Sequence, residues 1–330
     1  MAGLVIFTGA NSSLGVHAAE HLLTKFPEYT VLLTVRDDSS SDVNTEALRK
    51  IISNHSNAKA TIRALDLSSL SAVHAFADTV VSEIREGKFP SIAAITCNAY
   101  YWNLIRDPEL TADGYDKTIQ VSHISHAALI LRLLGSFSPS GRVILISSDA
   151  HWPGKNSSET YPPAIPDDLN LLVDPVVDSD KAGRGFQRYA NAKLAMTTWM
   201  YALNRHLQKE EKLKTITAVA MNPGNLLDSR ALTTNTPKSK AIMQKIAVPL
   251  LPVLRLMMGP TLRKSAPAGV DVAEMTFSAD FAGKRGFYTL LDKDESSPDS
   301  QDREKQERLW AQTLKWAKIT KDNTVLQAGL

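Results

Sequence analysis

Short, uninterrupted apolar runs recur along this chain, separated by segments with helical spacing, and that rhythm restricts the fold more than any other property. The runs are residues 4–7, 29–35, 60–65, 92–96, 142–147 and 216–221. Successive side chains of a strand point to opposite faces, so a strand that is apolar throughout needs cover on both. The intervening segments 14–25, 45–53, 70–85, 115–134 and 189–206 supply that cover as helices. The predicted class is α/β: a doubly wound parallel sheet with helices on both faces, forming a single domain over 1–330.

Two segments interrupt the rhythm. Residues 153–185 contain five prolines and the spaced pair Gly183 and Gly185. So long an irregular insertion is usually functional, and this one is expected to shape a substrate entrance. Residues 226–268 form a second break, read as a substrate-binding or lid region. Within it, 246–258 is apolar but interrupted by Pro249, Pro252 and Arg255, too short to span a bilayer, and is expected to be a lid or a buried amphipathic helix, with a membrane-touching or dimer surface as the alternative. Residues 286–291 suit a last strand. A C-terminal helix over 304–319 presents Leu309, Trp310, Leu314 and Trp316 for packing, and the final ten residues are expected to fray.

The first strand runs into Thr8, Gly9, Ala10, Asn11, Ser12, Ser13, Leu14 and Gly15. Glycines at 9 and 15 let the chain turn sharply into a helix whose N-terminus stabilises a pyrophosphate, which makes the predicted sheet Rossmann-type. After the second strand, the position where an acid would bind a ribose hydroxyl holds Val35, followed by Arg36. An arginine pairs instead with a 2′-phosphate, so the expected cofactor is NADPH/NADP+. Asp66 is placed to accept from an adenine amine and Leu67 to pack on the ring. Asn98 and Ala99 begin the nicotinamide side of the crevice.

Tyr189 and Lys193 are four apart on a predicted helix and share its face, so the ammonium is expected to lower the phenol pKa and hold a cofactor ribose. Ser148 stands at the end of the preceding strand. The net charge of +2 gives no case for nucleic acid. Cys97 is the only cysteine, which excludes an internal disulfide framework, and no spaced set of ligands suggests a metal. His17 and His21 flank a misplaced Glu20 and read as surface or packing residues, as do His123 and His126 in the long helix. The first apolar run reads as a strand rather than a leader, which points to a cytoplasmic protein with no transmembrane segment.

With Tyr189, Lys193, Ser148 and the glycine turn in view, residues 3–230 resemble the short-chain dehydrogenase/reductase family. Asp113-Gly114-Tyr115, residues 121–126 and Leu309-Trp310 are similar to its retinol dehydrogenase-like branch, and the long insertion to fungal secondary-metabolism reductases. The resemblance implies that Tyr189 is the general acid in reduction, that Lys193 binds the nicotinamide ribose, and that Ser148 polarises a carbonyl. It implies that Pro223, Gly224, Asn225 and Leu226 border the nicotinamide. Three departures stand out: Ser13 replaces a glycine of the turn, Tyr100 replaces a glycine after Asn98-Ala99, and Ser122 replaces the asparagine of a proton relay. Asp228 falls where the family often has a carboxamide-binding threonine. Tyr100, His151 and Trp152 are expected to border substrate.

The resulting expectation is an NADPH-dependent reductase of a ketone or aldehyde on a sizeable lipophilic molecule, the reverse oxidising its alcohol. The alternatives are an isomerase or cyclase without net redox change and a non-catalytic cofactor-bound scaffold. Both a homodimer, through helices 115–134 and 189–206, and a monomer remain open.

Overall fold

A computed structural model describes residues 2–330. Six strands lie parallel in one sheet: β1 (Leu4–Thr8), β2 (Thr30–Val35), β3 (Lys59–Ala64), β4 (Ile92–Cys97), β5 (Phe137–Ile146) and β6 (Thr217–Asn222). The two-residue strands β7 (Asn225–Leu226) and β8 (Leu262–Arg263) pair with each other outside it. β9 (Gly286–Thr289) adds parallel to β6, and β10 (Asp292–Lys293) folds back antiparallel on β9. The order is β10-β9-β6-β5-β4-β1-β2-β3. The fold is a single-domain Rossmann-type sheet, mixed only at its β10 edge. Winding reverses between β1 and β4, which opens a crevice at the carboxyl ends of those strands.

Side chains of β1 divide by period two: Leu4 and Ile6 enter one core, Phe7 the other. α1 (Gly15–Lys25) and α2 (Val43–Ser53) cover the Phe7 face, and α3 (Leu70–Arg85) the opposite one. α4 (Lys117–Ile119), a π-helical turn at Gln120–Ile124 and α5 (Ser125–Leu133) run on without a gap beside α3. The short α6 (Asn170–Val173) precedes α7 (Lys181–Gln208). α8 (Lys238–Ala247) and α9 (Leu251–Met258) lead to α10 (Ser265–Phe277), which packs on α1. α11 (Pro298–Gln301) and α12 (Arg303–Trp316) pack on α7. Aspartates at the helix starts accept backbone N–H groups: Asp42 from Thr45 at 2.9 Å, Asp180 from Gly183 at 2.9 Å and Asp302 from Lys305 at 3.0 Å.

Four features differ from the sequence expectation, each for a local reason. α7 starts at Lys181, inside the segment expected to be irregular. Its glycines serve close packing: a Cβ on Gly185 would lie 2.2 Å from the Asn103 carbonyl oxygen. β5 begins at Phe137, before its polar stretch, because Phe137 pairs with Ile92 across a register shift. The tail is tied down rather than frayed: Leu326 is fully buried, and Thr324 Oγ1 donates to the Leu131 carbonyl at 2.6 Å. Finally, residues 246–258 are not a buried helix. Ile246, Leu250, Val253, Leu256, Met257 and Met258 are all exposed.

Candidate active site

The glycine turn is built by close approach. Gly9 has φ +65°, and a Cβ there would sit 2.9 Å from the Ala99 Cα; one on Gly15 would sit 2.6 Å from the Gly9 carbonyl oxygen. The Asn98 amide donates to the Thr8 and Gly9 carbonyls, both at 3.0 Å, and to Ser12 Oγ at 3.1 Å. Ser12 Oγ also accepts from Gly15 N at 3.0 Å. Leu14 is buried behind the turn. Asn11 Nδ2 reaches Asp42 and Thr45, both at 3.0 Å, tying the turn to α2.

Thr8 faces inward. Its Oγ1 accepts from Asn98 N at 3.0 Å and Ala99 N at 3.1 Å, so its own proton goes to His126 Nε2 at 2.9 Å. His126 therefore carries its proton on Nδ1, which donates to the Ser122 carbonyl at 3.1 Å. Burial holds His126 down at about 4, and the nearby Lys193 charge adds to this. Ser122 lies in the π-helical turn, with its Oγ buried and without a hydrogen-bond partner.

Tyr189 and Lys193 sit midway along α7, at the carboxyl ends of β4 and β5. Lys193 is 1% exposed; its Nζ donates to the Ile146 carbonyl at 2.5 Å and stands 5.6 Å from the Tyr189 ring centroid and 5.1 Å from that of Tyr100. Burial pulls the ammonium down to about 7. The expectation that Lys193 depresses the phenol is not what the geometry gives. Burial pushes the Tyr189 phenol above its ordinary value, Tyr100 and Asp149 push the same way, and a hydrogen bond with Ser148 opposes them.

The phenol is caged by rings. Tyr100, Trp102 and Phe186 lie 5.7, 5.5 and 6.0 Å from it between centroids, with Leu104 and Ala150 completing an apolar cluster. Ser148 Oγ donates to Asp149 Oδ1 at 3.1 Å. The same carboxylate accepts from Asn156 at 2.7 Å and Asn225 at 2.8 Å, joining the insertion to the segment after β6. Gly224, at φ +91°, could not carry a Cβ, which would meet the Thr261 carbonyl oxygen at 2.4 Å. Asp228 accepts from Ser265 N and Oγ, both at 2.7 Å, at the start of α10.

His151 is placed differently from the expectation of a substrate contact. It is 1% exposed, its Nε2 accepts from Ser297 N at 3.1 Å, and its Nδ1 donates to the Ser148 carbonyl at 2.6 Å. Both nitrogens are spent inside the fold, leaving Trp152 half-buried beside it under the Lys155 ammonium at 3.6 Å.

Sequence reasoning missed Trp102 and Arg230. Trp102 Nε1 donates to the Ala231 carbonyl at 3.2 Å, and the aromatic triplet 100–102 directly after Asn98-Ala99 was its only sequence signal. Arg230 lies across the glycine turn: its N donates to Ser13 Oγ at 3.0 Å and its guanidinium to the Asn11 carbonyl. Together with Asn11, Ser12, Ser13, Asn44 and Asp228 it lines a cavity of about 290 Å³ at the start of α1. Arg36 and Asp66 are exposed at the ends of β2 and β3. Asp66 Oδ1 takes Ser68 N at 2.8 Å, and Arg36 enters no ion pair or side-chain hydrogen bond among the described residues. No cluster of metal-ligating side chains occurs among them either.

A glycine turn at the winding reversal, with serine, tyrosine and buried lysine facing the same crevice, defines a Rossmann-type dinucleotide-dependent oxidoreductase. Residues 230–326 match the family model of the AcuH dehydrogenase domain. Short-chain dehydrogenase iccH of Talaromyces variabilis is 26% identical, covering 99% of this chain and 98% of that protein. Dehydrogenase acuH of Aspergillus aculeatus is 39% identical over 28% of this chain and 96% of its own length. The NADPH-bound carbonyl reductase from chicken fatty liver superposes with a TM-score of 0.55 at 18% identity, covering 89% of this chain and 99% of that one. The chain belongs to the short-chain dehydrogenase/reductase superfamily, and is an oxidoreductase acting on small organic substrates.

Proposed function

We propose that the protein reduces a ketone or aldehyde on a sizeable lipophilic molecule at the expense of NADPH, with Tyr189 as proton donor. The observation that carries this is the placement of the phenol. Tyr189 is set among Tyr100, Trp102 and Phe186 with Ser148 beside it and buried Lys193 one helical turn on, so its hydroxyl is positioned to give a proton to a carbonyl oxygen. Rings at that distance also favour an apolar substrate over a charged one. Ser148 orients the carbonyl oxygen toward the phenol, and the developing alkoxide takes the Tyr189 proton as it forms.

The residues fit a dinucleotide. The turn from Gly9 to Gly15 and the start of α1 suit a diphosphate, with Ser12, Ser13 and the Arg230 guanidinium against it. Asn98, Ala99 and the segment Pro223, Gly224, Asn225 and Leu226 border the nicotinamide end; Lys193 reaches the ribose. Asp66 and Leu67 serve the adenine. Bound nicotinamide supplies the hydride. The solved carbonyl reductase neighbour holds NADPH, and the free Arg36 is placed for the extra phosphate. Arg36→Glu is expected to reduce kcat/KM for NADPH on the order of 10–100-fold while leaving NADH little changed, the range of a charge-assisted contact. Equal losses with both cofactors would remove Arg36 from 2′-phosphate recognition.

The reaction itself is tested by following NADPH consumption against a panel of lipophilic ketones and aldehydes while weighing the product. A gain of two hydrogens with stoichiometric cofactor loss is expected. A product of unchanged mass without cofactor loss would identify an isomerase or cyclase instead, and cofactor binding without any turnover a scaffold.

A further inference from the structure

We propose that α8 and α9 form an interfacial anchor that docks the protein on anionic phospholipid bilayers. The two helices are bent 96° to each other, and their outer side presents Ile242, Met243, Ile246, Val253, Leu256 and Met257 to solvent. Leu256 is 88% and Met257 78% exposed, values that leave these side chains with almost no protein contact. Six large apolar side chains on one short hairpin form a patch of the kind that marks an interaction surface.

Charge identifies the occupant. Between Asp228 and Asp271 the chain has no acidic residue. Lys238, Lys245, Arg255 and Lys264 are exposed in that span, and none of them forms an ion pair among the described residues. Apolar side chains rimmed by unpaired cations, with no opposing acid, match the layered chemistry of an anionic membrane surface, where hydrocarbon lies below phosphate and carboxylate. A second copy would instead set these cations against each other.

The anchor is coupled to the pocket. Trp102 Nε1 and Leu104 N donate to the carbonyls of Ala231 and Asn235, the latter at 2.8 Å, just ahead of α8. Gln244 of α8 donates to the Ser229 carbonyl at 3.0 Å. The docking itself does not depend on the reaction assigned above.

The test is flotation of the full chain with phosphatidylcholine vesicles, with and without phosphatidylserine. The expected result is flotation with the anionic vesicles, weakened by high salt. Lys245→Ala/Arg255→Ala should reduce partitioning on the order of 30-fold, the equivalent of two cationic contacts. Leu256→Asp/Met257→Asp should abolish it without altering the thermal melt, because both side chains lie outside the core. Absence of flotation, flotation indifferent to both variants, or a dimer that dissolves in Leu256→Asp/Met257→Asp without any vesicle binding would each overturn the proposal.

Discussion

Tyr189→Phe is expected to lower carbonyl reduction by roughly 10²–10⁴-fold, the contribution of a positioned general acid. The variant keeps the ring that packs against Tyr100, Trp102 and Phe186 and removes only the hydroxyl that meets Ser148. Cofactor affinity, measured by titration of the variant with NADPH, should therefore change little while kcat falls. The lysine cannot take over the proton transfer, because its Nζ is held by the Ile146 carbonyl on the inner side of the cage. Turnover within a fewfold of the parent protein would sink the assignment of Tyr189 as donor. A parallel collapse of NADPH affinity would instead assign the hydroxyl to the cofactor.

Acid should weaken the fold between pH 7 and pH 5. Burial holds His123 at about 3, and His126 and His151 at about 4, against an ordinary 6.5. These are bases with depressed pKa values, so the unfolded chain binds their protons first. Stability is complete above 6.5 and is lost as pH falls toward the folded values. Between pH 7 and 5 each histidine should cost about 2 kcal/mol. Asp116 works in the other direction: burial raises it to about 6 despite Arg188 nearby, so its protonation in the folded state returns about 1 kcal/mol over the same interval. The net loss is a large part of the stability of an ordinary domain. Urea unfolding at pH 7 and pH 5 measures it, and equal stabilities would show that these histidines are solvated in the folded chain.

The parts of the fold and site that were legible in the sequence are those set by local stereochemistry. Gly9 and Gly15 announce themselves because a backbone approach of under 3 Å to a would-be Cβ admits no other residue. Tyr189 and Lys193 are legible because helical spacing alone puts them on one face. What stayed hidden depends on partners distant in the chain. His151 follows Ser148 closely enough to suggest a pocket residue, yet its ring is captured by Ser297, supplied by the segment before α11. Arg230 reaches the glycine turn only because the segment after β7 folds back over α1. The start of α7 was masked by Gly183 and Gly185, which read as loop residues but are small for the sake of Asp180 and the Asn103 segment.

Hydropathy left one place open, residues 246–258, and the reason is instructive. An apolar run states that a segment prefers to leave water, not where it goes. The two cores are closed by α1 and α10 on one face and by α3, α5 and α7 on the other, and none of residues 246–258 belongs to either.

The position of Trp102 has an optical consequence. Its indole is edge-on to Tyr189 and its N–H is fixed to the backbone ahead of α8, whereas Trp199, Trp310 and Trp316 are buried in the core. Emission that responds to ligand thus comes from Trp102 in the cage and from half-buried Trp152 beside His151, and of these Trp102 is also joined to the segment ahead of the exposed hairpin. The chain carries its own fluorophore where the aromatic cluster meets that segment, and binding there needs no added label to be watched.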